Sequence, residues 1–248
     1  KNVLTGGFEM GNLWYNEPKS LDTAFDVIGD IVLSAASQQY GGFTVPSVDD
    51  ILEPFAEKSH KALLEKYKNL GLSEEKAHEV AWADLEKEME QGFQGWEYKF
   101  NSVSSSRGDY PFITVTSGTN TSIYGKLATI KMLEVRKNGQ GKEGHKKPVL
   151  FPKIVFLYDE NLHGPGKPLE DVFEAGIECS RKTMYPDWLS LTGKGYVPSM
   201  YKRYGKIVSP MGCRAFLSPW YEKGGMNPAD ENDKPVFVGR FNIGAVSL

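Results

Sequence analysis

Residues 149–158, VLFPKIVFLY, are apolar at nearly every position, and this run narrows the fold more than any other part of the chain. Alternating polarity would mark a strand with one wet face. A near-continuous apolar run marks a strand buried on both faces, as in parallel sheets covered by helices in α/β barrels and doubly wound sheets. Pro152 predicts a break or irregular pairing near its start. The surroundings agree. Residues 110–116 (YPFITVT) are β-branched and aromatic, lie between Arg107-Gly108-Asp109 and Ser117-Gly118, and read as a second strand. A helix is predicted over residues 121–136, then a Gly/Lys-rich loop over 138–147, then a helix over 169–182 closed by Tyr185-Pro186-Asp187. Strand and helix in alternation give an α/β class.

The first 105 residues have a different texture, rich in helix. In residues 20–39, Leu21, Ala24, Phe25, Ile28, Ile31, Val32 and Ala35 recur three and four apart, behind Ser20 as N-cap and ahead of Gly41-Gly42. Ser47 with Asp50 resembles a capping box. It opens a second helix through Ile51, Leu52, Phe55, Ala62, Leu63 and Tyr67, with Pro54 tolerated near its start. Ser73 caps a third, strongly charged helix reaching about Phe93. The last third reads as short strands and turns, with residues 227–235 an exposed loop and residues 243–248 a strand getting under way. The chain starts on Lys1 and stops inside that last run, so we read it as an excised segment of a longer protein.

Composition excludes several classes. A chain of 248 residues, 40% hydrophobic, can bury a substantial core. A net charge of −3 without a dense basic stripe argues against gripping nucleic acid, and the cluster Lys142, Lys146 and Lys147 reads as a solvated loop. No run of about 18 apolar residues and no secretory signal is present, which excludes a membrane role and leaves a cytoplasmic setting as the expectation. The four histidines, His60, His78, His145 and His163, lack HExxH or paired spacing and are expected to face solvent. No GxSxG elbow supports a serine triad.

Two places carry candidate chemistry. Gly118, Gly125 and Lys126 lie between strand and helix like a phosphate loop, but six residues separate the glycines and Leu127 follows the lysine, so the Walker spacing fails. Ser117, Gly118, Thr119, Thr121 and Ser122 still place small hydroxyls and backbone N–H groups at a helix start, suited either to plain N-capping or to a substrate phosphate. Of the two cysteines, which can make neither a disulfide framework nor a zinc site alone, Cys179 sits in a helical run and reads as packing. Cys213 lies in the turn Ser209-Pro210-Met211-Gly212-Cys213-Arg214, where Arg214 favours thiolate character; a buried thiol and a reactive one both fit.

The segments SPMGCRAFL (residues 209–217) and VGRFNIGAVSL (238–248) resemble the active-site cysteine loop and following strand of class III anaerobic ribonucleoside-triphosphate reductases, a glycyl radical enzyme family. In the same order the chain carries GFEMGN, PKSLDTA, QYGGFT, DDILEPF, PFITV, FPKIVF and ECSRKTMYPD, so the resemblance runs through essentially all of it. It implies an internal fragment of the catalytic α/β barrel of ten strands, with a cysteine finger loop pointing into the barrel and a helix-rich segment before it. Residues 1–248 would form a single partial catalytic domain: 1–105 the dimer and effector region, 106–248 the barrel segment with the Cys213 loop. An N-terminal ATP cone and a C-terminal glycyl-radical and zinc region are expected outside the chain.

The resemblance further implies conversion of ribonucleoside triphosphates to deoxyribonucleotides. A glycyl radical generates a thiyl radical at Cys213, which abstracts the ribose 3′ hydrogen; the 2′ hydroxyl leaves as water, with formate as reductant. Asn242 matches the asparagine placed beside the ribose and formate, and Met211, two residues from Cys213, reads either as an active-site neighbour or as ordinary packing. The implied partners are the nucleotide substrate, ATP and dNTP effectors, a radical-SAM activating enzyme and a second subunit of a homodimer. Two other readings compete. A formate-lyase relative would carry two adjacent cysteines on the finger loop, where this sequence has one. A non-enzymatic nucleotide-binding or assembly module would merely bury Cys213. The family's second active-site cysteine has no counterpart in the chain, so the fragment alone is expected to be inactive.

Overall fold

The computed structural model describes residues 4–39, 42–102, 112–210 and 218–237. Its centre is a parallel four-stranded sheet, β3 (Phe43–Val45), β4 (Ile113–Ser117), β5 (Lys153–Tyr158) and β6 (Asp187–Ser190), whose spatial order is the chain order. A short antiparallel hairpin, β1 (Phe8–Met10) with β2 (Leu13–Tyr15), precedes it, and a second antiparallel pair, β7 (Trp220–Tyr221) with β8 (Pro235–Val236), follows. The helices are α1 (Leu21–Ser37), α2 (Val48–Asn69), α3 (Glu74–Ser102), α4 (Ile123–Asn138), α5 (Glu170–Thr183) and α6 (Tyr196–Tyr204). Among the described residues no helix is long and apolar enough to cross a membrane.

The parallel sheet has two unlike faces. Val45, Ile113, Val115, Ile154 and Phe156 point into the main core, shared with residues of α1 to α5. Side chains alternate along a strand, so Thr44, Thr114, Thr116, Val155 and Leu157 lie on the opposite face. There Val155 and Leu157 form a second, smaller cluster with Leu191 and with Val197 of α6, flanked by Leu189, Tyr201 and Ile207. The register sets Thr44 beside Thr114 and Thr116 beside Val155. This second face is therefore hydroxylic on β3 and β4 and apolar on β5 and β6.

The three long helices interlock through polar as well as apolar contacts. Leu21, Ala24, Phe25, Ile28 and Val32 form the buried stripe of α1, and Ala77, Ala81, Leu85, Met89, Phe93, Trp96 and Phe100 that of α3. The α3 stripe continues past Phe93, so the helix runs to Ser102 rather than ending near Phe93 as expected. Gly92 makes the contact with α1 feasible: a Cβ there would lie 2.2 Å from the Phe25 ring. Ser20 occupies the expected N-cap position but its hydroxyl caps nothing, turning instead to Asp22 and Thr23. The first N–H groups of α1 are satisfied from other helices, Leu21 by Ser59 Oγ at 2.8 Å and Asp22 by Glu88 Oε1 at 2.9 Å. Ser47 does not cap α2 by its side chain either, because its backbone is left-handed (φ 45°), whereas a capping serine needs an extended one.

Other differences from the sequence reading have local causes. Strand β5 begins only at Lys153; Leu150 and Phe151 donate their N–H groups to Asn101 Oδ1 on α3, and Asn101 Nδ2 donates back to Phe151 O at 2.6 Å. Helix α6 was hidden by its length of nine residues and by Pro198 in its first turn, where a missing N–H costs nothing. The loop between β7 and β8 is the exposed loop expected there, ordered by Asp233, whose carboxylate accepts from the N–H groups of Lys223, Gly224 and Ala229. The start of the strand expected from Tyr110, the Tyr40-Gly41 pair of QYGG and the run 243–248 lie outside the described residues.

Candidate functional site

In parallel α/β sheets ligands bind at the carboxyl ends of the strands. Here those ends are followed by the β3–α2 turn at Pro46-Ser47, the β4–α4 loop at residues 118–122, the β5–α5 loop from Asp159 and the β6–α6 loop from Leu191. The β4–α4 loop contains four of the five residues singled out as a candidate phosphate site, Ser117 being the last residue of β4, and its geometry is fixed by neighbours on both sides.

Gly118 is the pivot. Its N–H donates to Asp49 Oδ2 at 3.0 Å, and its carbonyl accepts from His163 Nε2 at 2.7 Å. The Asp159 N–H donates to His163 Nδ1 at 3.0 Å, which leaves the proton of a neutral imidazole on Nε2, where the Gly118 carbonyl needs it. Burial lowers the pKa of His163 and so favours that neutral form. His163 is 2% exposed and His60 8% exposed, which corrects the expectation that all four histidines face solvent. His163 is taken inside to tie two loops together, and His60 bonds Tyr124 Oη through Nδ1 at 2.9 Å. Gly118 has φ 125°, a conformation other residues rarely adopt, and a Cβ there would sit 3.2 Å from Leu157 O.

Asp49, fully buried in the first turn of α2, also accepts from Asn120 N at 3.3 Å, while its Oδ1 has no partner within the described residues. Burial pushes its carboxyl up to about 6, and the two N–H donors pull the other way without winning. Asn120 completes the tie, donating through Nδ2 to Asp50 Oδ1 and Glu53 Oε2 at 2.8 Å each and accepting from Ser122 N. Ser122 Oγ accepts from Gly125 N and so caps α4, and Ser117 Oγ bonds Thr129 Oγ1 of α4 at 2.6 Å on the main-core side. Thr119 is half-buried and Thr121 exposed.

The hydroxylic face of the sheet holds the second feature. After α6 the chain crosses this face: Ile207 packs on the Val155–Leu157 cluster, Ser209 Oγ lies 3.3 Å from Thr116 Oγ1, and Thr44 Oγ1 donates to Pro210 O at 2.9 Å. Thr116 Oγ1 also accepts from Ser47 N at 2.8 Å. At the far side of the same face burial, and then the Asp159 carboxylate, push the Tyr201 phenol up. Pro210 is three residues before Cys213 in the chain. Cys213, Asn242 and Met211 themselves lie outside the described residues. Cys179 is fully buried in α5, its thiol pushed up by burial and beside Thr183 Oγ1, in keeping with a packing role.

Sequence reasoning missed Asp49, His163, Thr44 and Thr116. Asp49 reads as an ordinary acid in a helix's first turn and His163 as a loop histidine. Only the alternation of threonine with apolar residues in β4 hinted at a face that needs hydroxyls. Among the described residues no three His, Cys, Asp or Glu side chains are grouped so as to hold a metal ion.

The family described as anaerobic ribonucleoside-triphosphate reductase matches residues 1–248. The anaerobic ribonucleoside-triphosphate reductase of Haemophilus influenzae is 35% identical over 249 residues, and those of Salmonella typhimurium and Enterobacteria phage T4 are each 34% identical, all covering 100% of this chain. The chain spans 32% of the length of the two bacterial relatives and 38% of the phage one. A crystal structure of the anaerobic ribonucleotide reductase from Thermotoga maritima in complex with dATP and CTP has a TM-score of 0.49 to it at 16% identity, over 76% of this chain and 31% of that one. By sequence, this chain belongs to the anaerobic ribonucleoside-triphosphate reductase family.

Proposed function

We propose that this chain supplies the substrate-attacking part of an anaerobic reductase that converts ribonucleoside triphosphates to deoxyribonucleoside triphosphates in the cytoplasm, with Cys213 as the reacting thiol. The observation that carries this reading is the course of residues 207–210. The chain is led across the hydroxylic face of a parallel sheet and held there by Thr116 and Thr44 immediately before the MGCR segment. A consecutively ordered parallel sheet with α1 to α5 sharing the core on one face suits a segment of a ten-stranded barrel; in this proposal the opposite face, where α6 packs over β5, borders the barrel interior, into which a finger loop carrying Cys213 would reach.

A radical delivered from a glycine in another part of the protein would supply the hydrogen-atom chemistry. Cys213 then acts as the relay: its weak S–H bond gives up one hydrogen atom, and the sulfur takes the 3′ hydrogen of the ribose. The 2′ hydroxyl takes up a proton and leaves as water, formate supplies two electrons and the hydrogen that replaces it, ending as carbon dioxide, and the Cys213 thiol returns its hydrogen to the 3′ carbon, restoring the thiyl radical. Asn242 orients the ribose hydroxyls and formate through a neutral amide, which offers no competing base. Met211 borders the thiol. An enclosed site protects the radical from side reactions.

The loop of Ser117, Gly118, Thr119, Thr121 and Ser122 stands at the carboxyl end of β4, where a substrate triphosphate would reach the N-terminus of α4. Because Gly118 N, Asn120 N and Gly125 N are already bonded internally, the proposal for this loop rests on the Thr119 and Thr121 hydroxyls and the first-turn N–H groups of α4. The helix-rich residues 1–105 are proposed as the homodimer and ATP/dNTP effector region. The activating radical-SAM enzyme, the glycyl loop and its zinc are proposed to engage the rest of the protein. The decisive test is Cys213→Ser in the whole activated enzyme. Loss of all deoxynucleotide formation, with folding and glycyl-radical signal intact, is expected; retained turnover would overturn the reading.

A further inference from the structure

Thr44 and Thr116, two of the three threonines on the hydroxylic face, stand where valine would be the simpler residue. Val and Thr have the same shape and both suit strands, but a buried hydroxyl costs free energy unless it is bonded. Thr116 is fully buried and Thr44 half-buried. The neighbouring strand meets the same need with Val155 and Leu157. Both hydroxyls are spent on consecutive residues of one passing segment, Thr116 on the Ser209 side chain and Thr44 on the Pro210 carbonyl.

Proline makes the second contact informative. Its ring fixes φ, so the direction in which the chain leaves Pro210 depends on a single torsion, ψ. The carbonyl oxygen turns with ψ, and the hydrogen bond from Thr44 Oγ1 at 2.9 Å fixes where that oxygen points. Two successive anchors therefore set both the place and the heading from which the chain continues to Met211, Gly212 and Cys213.

We propose that Thr44 and Thr116 are positioning residues for the Cys213 loop, with Thr44 setting its heading through Pro210 O and Thr116 its place through Ser209. This deepens the proposed function and rests on Cys213 being the reacting thiol. Thr44→Val is the cleaner variant, since Thr116 also accepts from Ser47 N and its loss would leave that donor bare.

In the whole activated enzyme, Thr44→Val is expected to lower kcat about ten- to a hundred-fold, the scale of an ångström-sized misplacement of a reacting group. KM for the nucleotide, the glycyl-radical signal and the melting temperature stay unchanged, and Thr44→Ser restores turnover. In the unactivated protein, the alkylation rate of Cys213 by iodoacetamide, followed by peptide mass spectrometry with buried Cys179 as internal control, shifts in Thr44→Val and returns in Thr44→Ser. Wild-type kcat and alkylation in Thr44→Val, beside an inactive Cys213→Ser, would overturn the anchoring and leave the functional reading standing. So would a loss that serine does not rescue or that tracks a fall in melting temperature. Turnover by Cys213→Ser would instead remove the reading on which the inference rests.

Discussion

Asp49 shows how one side chain couples a loop to pH. Below its ordinary pKa of 3.8 the carboxyl is protonated in the folded and unfolded chains alike. As pH rises from there to about 6, the unfolded chain releases the proton while the folded chain holds it, because ionisation inside the protein is penalised by burial. Stability that is fully present below 3.8 is thus lost as pH climbs through about 6, by roughly 3 kcal/mol in all at 1.36 kcal/mol per unit. Asp49→Asn keeps an acceptor for Gly118 N and Asn120 N but cannot ionise. Urea unfolding at a series of pH values is expected to give a curve for the variant that is flatter between pH 4 and 6 than that of the parent chain; parallel curves would show that the buried carboxyl does not titrate there. None of this was legible in the sequence, because whether an aspartate is buried depends on where the 118–122 loop folds back.

At the scale of elements, what joins α3, α4 and the start of β5 is a buried ion pair. Arg136, fully buried, donates through Nε to Glu97 Oε1 at 2.7 Å and through Nη2 to Pro152 O at 2.6 Å; Gln140 donates to Glu97 Oε2 at 2.7 Å. Arg136 also stacks over the Tyr185 ring at 5.1 Å. Removing either partner strands the other charge in the core, so Arg136→Met is expected to cost about 3–5 kcal/mol in denaturant unfolding, with the double variant Arg136→Met/Glu97→Leu recovering much of that loss. Equal losses in the single and double variants would mean that the pair is not the source. Helices α1 to α5 were readable because each carries an apolar stripe at helical spacing. Their ends were not: Ser20 and Ser47 look like caps, yet α1 is capped by Ser59 and Glu88 from other helices, and the Ser47 N–H is spent on Thr116. Elements of three to nine residues, such as the β1–β2 hairpin and α6, carry too few positions for a period to stand out.

Taken whole, the molecule divides its labour between the two faces of one sheet. The apolar run of β5 announced burial on both sides, and that is what Ile154 and Phe156 on one face and Val155 and Leu157 on the other provide. Periodicity could not say that the second face would turn hydroxylic over β3 and β4, because that follows from which strands become neighbours. The same division bears on what the chain can do alone. Its main core is built from α1 to α5 and β3 to β5, all within the described residues, whereas the proposed chemistry needs a radical source and a second thiol that the resemblance places outside these 248 residues, about a third of the length of the bacterial relatives. The isolated chain is therefore expected to unfold cooperatively on heating yet to form no deoxynucleotide from ribonucleoside triphosphate and formate, even with the activating enzyme present. Detectable product from the purified chain would place a competent radical route inside it and shift attention from Cys213 as a recipient of the radical to groups of the chain itself.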